Sequence, residues 1–157
     1  MPHIPNLKEK TLRYPGHAEL IIALQRSGFF AEQPVSAGGQ TFVPLQCTSA
    51  MLINEWKLQP GEEEFTVMKV VVKGKMGGLE KTVEYSVLDR YDTVTQTSSM
   101  SRTTGYTCTA AANAFASGLF TEKGVFPPEL VGSNKACFDF IFNYLAERNV
   151  RWIRKEY

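Results

Sequence analysis

"EFTVMKVVVKGKMGGLEKTVEYSVLDRY", residues 64–91, reads as two strands and a turn. Both runs are rich in β-branched and aromatic residues, and paired glycines between them supply the positive φ that a tight hairpin demands. Centring the turn on Gly77-Gly78 predicts that Val72 faces Val83, Val70 faces Tyr85 and Met68 faces Val87 on one side. The other side then pairs Lys75 with Glu80, Lys73 with Thr82 and Lys69 with Ser86. One apolar and one largely polar face mark an antiparallel sheet with a single side on a core.

Toward the C-terminus, "DTVTQTSSMSRTTGYT" is rich in hydroxyls and poor in apolar residues. It leads to a helix of small residues predicted over 103–117. "GVFPPEL" reads as a loop. A helix over 134–148 places Phe138, Ile141, Phe142 and Leu145 on one stripe, and "VRWIR" reads as a closing strand. Toward the N-terminus, Pro60-Gly61 breaks the chain, and Pro44 suits the first position of a helix through Trp56. Residues 33–42 fit a small hairpin around Gly38-Gly39. A helix from Gly16 to Gly28 carries Leu20, Ile21 and Leu24 on its stripe, with Glu19 in the first turn and Arg26 in the last. Residues 1–10 hold two prolines without periodicity and read as an arm or linker. The fold class is α+β: a mixed, largely antiparallel sheet with a long hairpin and helices packed on it, in a single domain over residues 11–157.

The chain has 157 residues, 43% of them hydrophobic, which suffices for one domain with its own core. A formal charge of +1 offers no footprint for nucleic acid or an anionic membrane. No run is long enough to span a bilayer, and the N-terminus lacks the features of a signal peptide. Cys47, Cys108 and Cys137 are far apart and form no metal-ligand pattern, so reduced thiols in a cytoplasmic protein are expected, with no metal.

Three segments carry possible chemistry. "GKMGGLEK" has the glycines and lysines of a phosphate loop, but it joins two strands, whereas such a loop must open a helix. "TLRYPGHAEL", residues 11–20, sets Arg13 and Tyr14 before a Pro-Gly turn and His17 after it. The guanidinium of Arg13 suits two-point binding of a carboxylate, aided by the positive end of the following helix; an ion pair with Glu19 accounts for it equally well. His17 has a pKa suited to proton transfer, or it is a helix-start histidine bonded to backbone or solvent. His3 is the only other histidine. In "SSMSRTTGYT", residues 98–107, Ser98, Ser99, Thr103 and Thr104 can cap a helix. Alternatively Arg102, those hydroxyls and nearby N–H groups form a second anion or amide site.

These motifs resemble the saccharopine dehydrogenase-like family. "TLRYPGHAELIIALQRSGFF" is similar to its TLRYxGH segment and following helix. "FTVMKVVVKGK", "YSVLDRYD", "MSRTTGY" and "GLFTEKGVFPPELVG" follow in the family's order, so the likeness runs from about residue 10 to 147, closest to the branch that includes lysine 6-dehydrogenase. The resemblance implies an NAD(P)-dependent oxidoreductase acting at a carbon–nitrogen bond of lysine-derived amino acids. It also implies a Rossmann domain paired with a second domain resembling the C-terminal domain of glyceraldehyde-3-phosphate dehydrogenase. That second domain binds substrate and dimerises. By the same resemblance Arg13 contacts a substrate carboxylate, and Arg102, Thr103 and Thr104 lie near the interdomain cleft with Tyr14 and His17 at the pocket. Ser101 and Thr107 depart from the family's usual alanine and proline.

No GxGxxG follows a strand in these residues, so the dinucleotide fold is absent from them. The expectation is therefore a C-terminal substrate-binding and dimerisation domain, inactive alone, with Met1 starting an excised piece or a shortened gene product. Its expected partners are an amino-acid substrate, the missing Rossmann domain and a second copy. NAD or NADP would serve the intact enzyme, and no cofactor is expected on this chain. The alternatives are a stand-alone, non-catalytic binding module derived from the family, and a small enzyme built around His17.

Overall fold

The computed structural model describes residues 4–157. His3 and the start of the expected arm lie outside the described residues. The chain divides into two compact units, one ending at Gln59 and one spanning Pro60–Tyr157. No helix among the described residues is long and apolar enough to cross a membrane.

In the first unit, the chain turns into helix α1 (His17–Arg26) through Gly16, whose φ of 87° only glycine adopts without strain. The helix ends in a Schellman arrangement. Gly28 is left-handed, its N–H reaches the Gln25 carbonyl, and the N–H of Phe29 reaches that of Leu24. Strands β1 (Val35–Ala37) and β2 (Gln40–Phe42) pair across Gly38-Gly39. Helix α2 (Pro44–Trp56) then starts with proline in its first turn, where the missing N–H costs nothing. Thr48 is the one buried residue among the described residues of this unit, and its hydroxyl donates to the Phe29 carbonyl at 2.8 Å.

The second unit is built on β3 (Phe65–Met76) and β4 (Leu79–Arg90). Their register is the expected one: Val72 opposite Val83, Val70 opposite Tyr85, Met68 opposite Val87. Gly77 and Gly78, at φ 62° and 82°, make the turn. Strand β5 (Ile153–Glu156) adds to the far side of β4, giving the order β3-β4-β5. Every described strand pairing is antiparallel. Helices α3 (Ser99–Ala116), α4 (Pro128–Ser133) and α5 (Lys135–Glu147) complete the unit.

Three boundaries differ from the sequence reading. Helix α3 begins at Ser99 rather than 103, because the Ser98 hydroxyl caps it by accepting from the Ser101 N–H at 3.1 Å. "GVFPPEL" contains the start of α4, with Pro128 in its first turn. Strand β5 starts at Ile153, not 150. The Val150 N–H instead terminates α5 on the Leu145 carbonyl, and its side chain joins the core.

That core unites Val87, Leu145 and Val150, with Tyr106, Ile141 and Trp152 against it. The α5 stripe stands over β4, with the Phe142 and Phe138 rings 5.9 and 6.4 Å from the Tyr85 ring. Ala110 and Ala114 are the buried positions of the small-residue run, on the helix that packs against α5. The sheet's apolar face is covered unevenly: Val87 is buried, while Met68, Val70 and Val72 on β3 remain 48%, 43% and 59% exposed.

Candidate functional site

The expected site residues fall into two groups, one in each unit. In the first unit, residues 11–14 carry no regular structure and lead to α1, where the His17 N–H donates to the Tyr14 carbonyl at 3.2 Å. Arg13 and Tyr14 are exposed. Arg13 has no ion-pair or hydrogen-bond partner among the described residues, so the pair with Glu19 is not formed. His17 is half-buried, its ring 5.8 Å from that of Trp56. The N-cap residue of α1, Gly16, has no side chain to offer as a cap. A planar cation without a partner among the described residues thus precedes the electropositive entrance of a helix whose first residue, His17, packs on Trp56. That combination suits an anionic group on a small organic molecule.

In the second unit Arg102 is buried, and its fork is already occupied. Nε and Nη2 donate to the two Asp89 oxygens at 3.2 and 3.3 Å. Nη1 donates to Asp92 at 2.8 Å, and Nη2 also reaches the Arg148 carbonyl at 3.0 Å. One of its five N–H groups is left over. Burial alone would lower the Arg102 pKa, but the hydrogen bond and charge of Asp89, then that of Asp92, raise it overall. Asp92 in turn accepts from the Thr95 and Val94 N–H groups. Those bonds, Thr95 foremost, together with the Arg102 charge, hold its carboxyl below the usual range against the opposing effect of desolvation. The Arg148 carbonyl is available because Asn149, at φ 62°, turns the chain left-handed at the end of α5. Arg102 therefore ties α3 to β4, to the 92–97 loop and to the end of α5. A concavity of about 370 Å³ opens beside it, lined in part by Asp89, Asp92 and Asn149.

The other members of this group have plain positions. The Thr103 hydroxyl donates to the Ser99 carbonyl at 2.9 Å, one turn back. Thr104 is exposed. Because α3 starts four residues earlier than expected, the backbone N–H groups near Arg102 have partners: that of Met100 donates to Glu64 at 3.3 Å and that of Ser101 to the Ser98 hydroxyl at 3.1 Å. The N–H of Arg102 itself goes to the Ser98 carbonyl at 2.9 Å. Sequence reasoning missed Asp89 and Asp92. Asp89 did leave a signal: it is a carboxylate at an inward position of β4, two residues beyond Val87, where an acid needs a buried partner.

The described residues thus form an α+β chain: a unit built on a three-stranded antiparallel sheet, joined in sequence to a unit of two helices and a short hairpin. The family model described as the saccharopine dehydrogenase C-terminal domain matches residues 1–150, and the chain belongs to that family.

Proposed function

We propose that this chain is the substrate-binding and dimerisation domain of an NAD(P)-dependent oxidoreductase acting at a carbon–nitrogen bond of a lysine-derived amino acid. The observation that carries the reading is Arg13, exposed and without a partner among the described residues just before α1, within a family match over residues 1–150.

A dinucleotide's pyrophosphate needs a glycine-rich turn from a strand into a helix N-terminus. Gly77-Gly78 and Gly38-Gly39 each join strand to strand. Neither turn opens a helix, and on this reading the dinucleotide is held by a Rossmann domain outside the described residues. What this chain contributes is the hold on the substrate. Arg13 donates two parallel N–H groups to a carboxylate, fixing the amino acid's orientation by a contact that an ammonium cannot reproduce. The His17 and Trp56 rings, 5.8 Å apart, are the apolar surface offered to the aliphatic part. In the second unit Arg102 is a strut that sets the start of α3, with Thr103 bonded within the helix and Thr104 presented to solvent.

Steady-state kinetics of the intact enzyme test the reading. Hydrogen bonds to charged groups contribute roughly 1.5–3 kcal/mol each. Arg13→Ala should therefore lower kcat/KM about tenfold or more, and Arg13→Lys should restore only part. Cofactor affinity should not change. An Arg13→Ala variant within twofold of the parent defeats the assignment.

A further inference from the structure

Strand β3 lies at the end of the sheet order, so one of its long edges has no partner strand among the described residues. Which residues face that edge follows from two hydrogen bonds patterns elsewhere in the sheet. Thr82 exchanges both backbone bonds with Tyr157, at 3.0 and 2.9 Å, on the β5 side of β4. Its β3 partner Lys73 therefore sits in a non-hydrogen-bonded pair. The bond from the Tyr91 N–H to the Glu64 carbonyl, 2.9 Å, sets the same phase at the other end. Odd-numbered residues from Phe65 to Lys75 thus turn their N–H and C=O groups outward along the free edge.

We infer that this edge pairs antiparallel with the same edge of a second copy, about a two-fold axis centred on Val70. This deepens the dimerisation part of the proposed function and rests on it. The register is selected by charge. Only pairings centred on Val70 or Val71 engage nearly the whole strand, Phe65 to Lys75 or Thr66 to Met76. Centring on Val71 sets Lys69 directly opposite Lys73 twice. Centring on Lys69 sets that lysine against itself, and centring on Val72 sets Lys69 against Lys75. Like charges directly opposite destabilise a pair.

Centring on Val70 avoids all of these. Lys69 then faces Val71, Lys73 faces Val67, and Lys75 faces Phe65. On the other side of the sheet Val70 meets its own copy and Met68 meets Val72, giving the half-exposed side chains of β3 apolar neighbours. The three lysines, edge residues that discourage indiscriminate pairing, leave this one full-length register open. Lys69 is also held by Glu84 of its own chain at 2.8 Å. The interface is isologous, as a closed dimer requires.

Cysteine cross-linking with mass measurement tests the register. The background is Cys47→Ser with Cys108→Ser, which removes both exposed thiols and leaves buried Cys137. Val70 and its copy form a non-hydrogen-bonded pair with Cα atoms about 4.5 Å apart, within disulfide reach. Val70→Cys should therefore convert most of the protein to a covalent dimer under mild oxidation. The double variant Met68→Cys with Val72→Cys should do the same, while Lys69→Cys and Val71→Cys alone should not. A dimer by light scattering that cross-links in neither positive variant overturns the edge but keeps dimerisation. Cross-linking of Lys69→Cys or Val71→Cys as fast as Val70→Cys overturns the register. A monomer mass at high micromolar concentration overturns both the edge and the dimerisation reading.

Discussion

Replacing Arg102 with alanine should cost stability and not merely recognition. Arg102 and Asp89 are about 6% and 4% exposed at their side chains. Removing the guanidinium strands the Asp89 carboxylate away from water and takes the donor from the Arg148 carbonyl. Asp92, more exposed, keeps its two backbone N–H bonds. Breaking a buried ion pair from one side costs about 3–5 kcal/mol. With a urea slope of about 2 kcal/mol/M, the unfolding midpoint should fall by about 1.5–2.5 M. Urea titration followed by circular dichroism reads this directly. A paired control separates the charge from the packing: Arg102→Met with Asp89→Leu removes both buried charges and should recover most of the loss. A loss below about 1 kcal/mol in Arg102→Ala, on the scale of a surface pair, would refute the strut. If the intact enzyme then showed only a raised KM, Arg102 would return to the list of substrate contacts.

Acid should destabilise the fold in a defined window. The Asp92 carboxyl is held low by the Thr95 and Val94 N–H groups and Arg102, and the Glu156 carboxyl by Lys81 and then Arg154. Carboxyls whose folded pKa is depressed stabilise fully above their unfolded values, and that stability is lost as pH falls through the lower folded pKa. The urea midpoint should therefore show no loss from these groups down to about pH 5 and drop below about pH 4; Asp92→Asn should flatten part of the drop, and an equal drop in that variant would remove Asp92 from the account. At the hairpin, Gly78→Ala should cost about 1–2 kcal/mol because an L residue is strained in the left-handed region. An added Cβ there meets nothing within 4 Å, so the cost is backbone strain and not a clash; an unchanged melting temperature would contradict it.

The parts of this fold legible in sequence are those set by local rules. Alternation along residues 64–91, with two glycines at the turn, fixed which β3 residue meets which β4 residue. Pro44 marked the start of α2. The start of α3 was less legible because "SSMSRTT" offers several hydroxyls able to cap, and only geometry selects Ser98. The Arg102 cluster was illegible for a different reason. Its partners come from the end of β4, a loop and the carboxyl end of α5, and no periodicity links residues 89, 92, 102 and 148. Arg13 shows the converse. Residue types left a ligand contact and an ion pair with Glu19 level, and its free guanidinium removes the second.

Alternation also names a face without naming what covers it. Val70 and Tyr85 stand directly opposite one another on the same side of the sheet. Tyr85 lies under Phe138 and Phe142, whereas Val70 has 43% of its surface open. Helix α5 sets two rings on Tyr85 of β4, while Met68, Val70 and Val72 of β3 stay exposed. On the opposite face β3 carries Lys69, Lys73 and Lys75, while β4 carries Glu80 and Glu84. A strand loaded with valine and methionine on one side and lysine on the other contains both an incentive to pair and a barrier to pairing. These two features conflict in an isolated edge. They are reconciled where a neighbouring strand sets valine or phenylalanine against each lysine, which is the arrangement a two-fold axis at Val70 produces.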